Sequence, residues 1–192
     1  MNAEALRNVT EALRDRLLAA LPSSSSSDVF VGPLDDSDAS GAKLILFLYR
    51  VVPNASLRNR EHIVASGTPP PAALVFRNAL PLDLHFLVTV GTNAGGSEEP
   101  MLSGLGAAMQ ALQEDPELAG QKVAYEPVHL SLEGLATDEM SRIWALFPTA
   151  NYRTSIAYLA TPVWIDPPQP APQAAPVRED SLFAGTTPEP IS

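Results

Sequence analysis

The chain has 192 residues, of which 45% are hydrophobic and 18% are charged, so it can bury the core of one globular domain. Its net charge of −10 argues against a general nucleic-acid binder and against docking on anionic membranes, because both of those surfaces attract clustered lysine and arginine. The sequence contains no cysteine, which excludes disulfides, thiolate nucleophiles and thiolate metal sites.

The first predicted element is an amphipathic helix over residues 2–21. Apolar residues recur there at spacings of three or four with charged residues between them, and Pro22 follows the last apolar position as a helix stop. The same charged residues are unlike the apolar core of a signal peptide, so no signal peptide is predicted. No run of about 18 apolar residues occurs in the sequence, so no transmembrane helix is predicted either.

Two strands are predicted to follow this helix. The first is short, at residues 29–31, and leads into an acidic turn region at residues 32–41. The second is the run KLILFLYRV, residues 43–51. Its nearly continuous apolar character is typical of a strand buried on both faces, although periodicity alone also allows a buried helix.

A long connection without one regular element is predicted over residues 52–81. Prolines interrupt this stretch at five positions, and proline removes a backbone donor from any helix or strand interior. Structureless segments of this length are uncommon in compact domains and are usually functional, or become ordered on a partner.

The second half of the chain is predicted to alternate between strands and helices. The predicted elements are a strand at residues 80–91, a helix at 98–114, a strand at 127–135, a short helix that opens at Thr137, and a strand at 153–166. Leu102 is placed on the apolar face of the longer helix, and Leu132 on the apolar face of the middle strand. Thr137 is interpreted as a helix N-cap. These elements predict a mixed α/β fold in which helices cover a sheet.

The composition changes at Pro167. Residues 1–166 are expected to form the folded domain, and residues 167–192 a Pro/Ala-rich extended tail or arm with little to bury. Within the tail, Leu182 and Phe183 belong to the island VREDSLF, and apolar residues in such a tail often dock on a partner. An unstructured end is the simpler alternative.

Few residues form a pattern that could carry chemistry. Asp83 and His85 lie on one face of a predicted strand and could be two metal ligands or an acid/base pair, whereas a catalytic metal site usually has at least three protein ligands. The other histidines, His62 and His129, have no acidic residue at a useful spacing. The simpler interpretation is that Asp83 and His85 line the polar side of a half-exposed strand. No phosphate-binding or nucleophile motif is present, so no catalytic residue and no cofactor is predicted.

Charge is unevenly distributed along the chain. The segment 43–77 carries five basic residues and one acidic residue, a net +4, so the rest of the chain carries −14. The interface candidates in this segment are Arg50, Arg58, Arg60 and Arg77. Complementary charges set register and partner choice, and identical copies in a ring could pair a basic loop with a neighbour's acidic surface. Ordinary surface solvation is the alternative for these arginines.

Several sequence blocks together resemble a known family. LFLYRVVPNASLRNR and LPLDLHFLVTV are the most specific blocks, and SRIWALF followed by YRTSIAY is the next. With the helices between them, they resemble the cap, or tail-terminator, proteins of contractile injection systems, which are phage-tail-like particles. The resemblance spans residues 3–166.

The resemblance implies a structural protein and not an enzyme. It implies an α/β (α+β) fold similar to phage tail terminators, with a mixed sheet flanked by helices. It also implies a hexameric ring on the end of an inner tube. That ring would stop tube growth and engage the last layer of sheath. The implied partners are sister subunits, the tube protein and the sheath protein, with no nucleic acid, membrane or small-molecule substrate. Assembly in the cytoplasm is implied, in a particle that is later released or retained.

Some members of that family carry a further C-terminal domain, which has no counterpart in this sequence. Residues 167–192 are therefore expected to act as a reduced sheath-contacting arm. Two alternative functions share the same composition. One is another assembly or adaptor protein of such a particle, at the baseplate or in tail completion, and the other is a metal-dependent enzyme that uses Asp83 and His85.

Overall fold

The structure is a computed structural model that describes residues 1–22, 25–65, 73–91 and 99–172. Its helices are α1 Ala5–Ala20, α2 Glu99–Glu114 and α3 Thr137–Trp144. Its strands are β1 Val29–Val31, β2 Leu44–Pro53, β3 His62–Ala65, β4 Ala73–Phe76, β5 Leu80–Val90, β6 Glu117–Leu118, β7 Val128–Glu133 and β8 Ser155–Ile165. Six strands form one sheet in the order β1-β2-β5-β8-β7-β6, and β3 and β4 form a separate hairpin. In the larger sheet, β1 is parallel to β2 and every other pair is antiparallel.

Helices α1 and α2 cover one face of the six-stranded sheet. Val9, Leu13 and Leu17 recur every four residues on α1, so they lie on one stripe of the helix and are fully buried. They pack in the larger of two hydrophobic clusters, together with Phe86 on β5 and Ala160 on β8. Burying a side chain such as Phe86 contributes about 1.5–3 kcal/mol, so this layer supplies most of the hydrophobic stabilisation.

Helix α3 packs on the opposite face of the sheet and forms a smaller cluster. Ile45 on β2 and Leu87 on β5 point into this cluster, where Trp144 and Phe147 cover them. The guanidinium of Arg153 lies 5.7 Å from the Trp144 ring, and burial lowers the pKa of Arg153. Because both faces of β2 are covered near its start, its first residues are apolar without alternation, as predicted from the sequence.

The predicted mixed sheet flanked by helices is confirmed, with three local corrections. Leu102 is 45% exposed, because α2 turns Leu105 toward the sheet. Leu132 is 57% exposed, although Leu130 on the same face of β7 is buried. Thr137 is the first residue of α3 and not its N-cap.

The N-terminus of α3 is capped in a different way from the prediction. Ala136 occupies the N-cap position, and its backbone N–H donates to the Glu139 carboxylate at 3.0 Å. The carboxylate therefore satisfies a donor near the helix N-terminus and also lies at the favourable end of the helix dipole.

The prediction of an irregular connection over residues 52–81 is wrong for two of its parts. His62–Ala65 and Ala73–Phe76 pair as the antiparallel hairpin β3–β4. Each strand has four residues, and the sequence between them is rich in proline. These two short apolar runs therefore lack the length that made the other strands recognisable.

No helix in the described ranges has both the length and the apolar character that crossing a bilayer requires.

Candidate functional site

The basic loop, residues 54–61, leaves the end of β2 in a direction that Asn54 determines. The Asn54 amide donates to the Asp83 carboxylate at 2.9 Å and to the Thr161 hydroxyl oxygen at 3.3 Å. Its side-chain oxygen accepts from two following backbone N–H groups, at 3.0 and 3.1 Å. This Asx turn reverses the chain. The loop is thus anchored at its start to β5 and β8.

The arginines of this region differ from the other basic side chains. Arg58 and Arg60 are exposed and make no ion pair or side-chain hydrogen bond with another described residue, and Arg50 is exposed and has no ion pair within the described ranges. Arg77 pairs with Glu61 at 3.1 Å, with both side chains exposed. The remaining basic side chains of the described ranges have carboxylate or carbonyl partners: Arg7, Arg14, Arg16, Lys43, Lys122, Arg142 and Arg153.

A buried cluster of ionisable groups lies at the base of the hairpin. His62 Nδ1 is 2.7 Å from the Asp166 carboxylate, and His62 Nε2 is 3.5 Å from Glu126. The terminal amine of Met1 contacts both carboxylates, at 2.5 Å and 3.1 Å. The His62 ring stacks on Trp164 at 4.5 Å with an interplanar angle of 6°. The side chains of His62, Asp166 and Glu126 are 10%, 7% and 16% exposed.

This cluster is best explained as an anchor between the hairpin and the sheet. The ligand atoms of His62, Glu126 and Asp166 lie within 4.8 Å of one another, a spacing that could suit a metal ion. However, the Met1 amine already donates to both carboxylates, and His62 Nδ1 lies within hydrogen-bond distance of Asp166. Sequence analysis missed the cluster because Asp166 is 104 residues away from His62, and only the fold brings them together.

Asp83 and His85 do not converge on one site. The Asp83 carboxylate accepts from Asn54, whereas His85 Nδ1 is 2.8 Å from the Glu133 carboxylate. The Tyr49 hydroxyl donates to the same Glu133 oxygen at 3.0 Å, and burial together with this hydrogen bond raises the pKa of Tyr49. Within the described residues, neither Asp83 nor His85 belongs to a group of three possible metal ligands. The two side chains serve separate hydrogen-bond networks.

The chain continues past β8 along the hairpin. The Ala171 N–H donates to the Val75 carbonyl oxygen at 2.7 Å, so the first residues of the predicted tail lie beside β4. The predicted interface residues Leu182 and Phe183 fall in residues 173–192, which lie outside the described ranges.

Comparisons with known proteins agree on one family and one fold. The family model of the Pvc16 N-terminal domain matches residues 8–179. A sheath/tube terminator of an extracellular contractile injection system, PVC, in its extended state has a TM-score of 0.62 and 16% identity, over 97% of this chain and 65% of that one. The tube-terminating cap of the anti-feeding prophage has a TM-score of 0.63 and 16% identity, over 91% of this chain and 59% of that one. Among curated proteins, none matches the sequence.

These likenesses show a shared fold. The chain spans 65% and 59% of the lengths of the two solved proteins. The family match also reaches past β8 into the tail that begins at Pro167.

Proposed function

Because the chain belongs to the Pvc16 N-terminal domain family, we propose that it is a cap, or tail-terminator, subunit of a contractile injection system. The observation that carries this proposal is the likeness of its fold, over 97% and 91% of the chain, to two proteins that terminate tubes. Family membership and fold confirm the resemblance that the sequence blocks indicated. The proposed role is structural and non-enzymatic, since Asp83 and His85 do not form a common site.

The proposed mechanism is geometric. Subunits form a ring, which we expect to be hexameric, on the end of the inner tube, so that no tube surface is left for another layer. The ring also contacts the last layer of sheath. Residues 1–166 supply the ring domain. Residues 167–192 supply a sheath-contacting tail, with Leu182 and Phe183 as its apolar anchor. The subunit assembles in the cytoplasm before the particle is released or retained.

Tube length is the direct test of this function. Tube protein assembled with the cap should give tubes that end at the cap and stop growing, whereas tube protein alone should give an uncontrolled length distribution by electron microscopy. A protein that binds tubes without changing their length is an adaptor, and that result would overturn the proposed function.

Two truncations test the proposed sheath-contacting tail, residues 167–192. Deletion of residues 173–192 keeps the hydrogen bond from Ala171 to Val75, whereas deletion of residues 167–192 removes it. Both variants should cap tubes and lose sheath retention, measured by co-sedimentation of sheath with capped tubes. Unaltered sheath retention in both variants would contradict the proposed role of the tail and would leave the proposed tube capping unaffected.

A further inference from the structure

The hairpin β3–β4 exposes apolar surface that neither hydrophobic cluster covers. Ile63 is 63% exposed, and Val64, Leu74 and Val75 are half-buried. None of the four belongs to the two clusters of the described chain. A two-stranded hairpin is marginally stable alone in water, so contact with another surface would stabilise it. Exposed apolar side chains on such an element indicate an interaction site.

The same region carries the unpaired cations. Arg58 and Arg60 lie in the basic loop, directly before β3, and have no acidic partner among the described residues. We call the basic loop and the hairpin, residues 54–65 and 73–77, the arm. Its combination of aliphatic side chains with arginine is typical of protein interfaces. A partner that fits the arm must therefore present acidic groups to Arg58 and Arg60.

Acidic groups without a basic partner lie toward the other end of β2. The acidic loop, residues 32–42, exposes Asp35, Asp36 and Asp38, and none of them has an ion pair within the described residues. This loop leads into β2, and the basic loop follows it. The ten residues of β2 span about 30 Å, so the two loops do not pair within one chain.

From these observations we propose that the arm of one copy docks head to tail on the acidic loop of a second copy. The proposal rests on the proposed ring, and it names the surfaces that close it. A two-fold dimer through the arm would place basic loop against basic loop, which like-charge repulsion opposes. Complementary surfaces at opposite ends of one subunit instead form a heterologous contact, the kind from which rings are built.

Charge reversal on each side, followed by their combination, tests the proposal. R58E/R60E and D35K/D38K should each weaken self-association about tenfold or more in sedimentation velocity at physiological salt, because each places like charges at every contact. Asp36 is left unchanged, since its carboxylate accepts from the Asp38 N–H at 2.9 Å. A chain with all four changes restores opposite charges at every contact and should associate within about threefold of the unmodified chain.

The control K122E/R142E changes net charge by the same amount as R58E/R60E and should associate like the unmodified chain, because Lys122 and Arg142 are exposed and lie outside the arm and the acidic loop. Circular dichroism of each variant verifies the fold. The proposal is overturned if the unmodified chain is a monomer at every concentration, if either reversal leaves association unchanged, or if the combined variant stays dissociated. It is also overturned if R58E/R60E associates normally and loses only tube binding, since the arm then faces the tube. Failure of the unmodified protein to limit tube length would instead refute the proposed function, whatever the sedimentation results.

Discussion

The body of the chain, which is the six-stranded sheet with its three helices, contains both hydrophobic clusters, whereas no described residue of the arm belongs to either of them. In the body, Phe86 and Leu13 are fully buried, and the hydroxyl of the buried Thr89 donates to the Thr154 carbonyl oxygen. In the arm, Ile63 is largely exposed and Arg58 lacks an ionic partner in the described chain. The body therefore carries the stability of the chain, whereas the arm holds groups that a second surface would satisfy.

The two regions meet at the anchor cluster, which consists of Met1, His62, Glu126 and Asp166. His62 begins β3 and stacks on Trp164 near the end of β8, so the hairpin is fixed to the body at its base. The hydrogen bonds of Asn54 to Asp83 and Thr161, and the one from Ala171 to Val75, also connect them. The comparison predicts large effects on stability from substitutions in the body, intermediate effects at the anchor, and effects on association alone in the arm.

The largest expected effect is the difference in unfolding free energy between substitutions at a buried and at an exposed apolar residue. Phe86→Ala should lower the free energy of unfolding by about 3–5 kcal/mol, because it removes a fully buried ring and leaves a cavity. Ile63→Ala should lower it by less than about 1 kcal/mol, since its side chain is largely in water. Urea titration of both variants measures the difference, and equal losses would contradict the division between body and arm.

Substitution at the anchor should have an intermediate effect. His62→Ala removes the partner of a nearly buried carboxylate and should cost about 1–3 kcal/mol. It should also speed hydrogen exchange in β3 and β4 more than in β5. His129→Ala is the control, because His129 is exposed on β7 and should be neutral. If both histidine variants exchange alike, the cluster does not hold the hairpin.

A smaller effect concerns pH and lies within the body. The Ser25 N–H donates to Asp28, and together with Lys43 this holds the pKa of Asp28 below its usual 3.8. Because the folded pKa is the lower one, the carboxylate contributes stability above pH 3.8, and the contribution is lost as pH falls through the folded value. Asp28→Asn should cost under about 1 kcal/mol at neutral pH and nothing well below the folded pKa. Unfolding titrations across this range measure the difference, with Asp138→Asn as the exposed control.

The smallest expected effect on stability is in the arm itself. R58E/R60E should change the free energy of unfolding by less than about 0.5 kcal/mol, because neither arginine has a partner to lose among the described residues. Thermal unfolding of dilute protein, below the concentration of self-association, measures it. A loss comparable to that of His62→Ala would show that the loop supports the fold, and the arm would then be part of the body.

Elements that bury a long, regular apolar face could be predicted from the sequence. Spacing of three or four identified α1, because one covering layer imposes one period on it, and the alternation of apolar with polar residues identified β5, although both of its faces are covered. The excess of basic residues was also found from the sequence, since an excess of one charge along a segment of 35 residues is visible without a fold. The short strands β3 and β4 were missed, because four residues are too few to establish a period.

The sequence by itself determined the helices, the long strands and the presence of a basic segment in an acidic chain, because periodicity and local charge are properties of neighbouring residues. Only the tertiary structure decided that His62 meets Asp166 and Glu126, and that Asp83 and His85 have different partners. Only the tertiary structure separated the basic loop from the acidic loop by the length of β2. These are contacts and distances between residues far apart in the chain, which depend on strand order and not on spacing along the sequence.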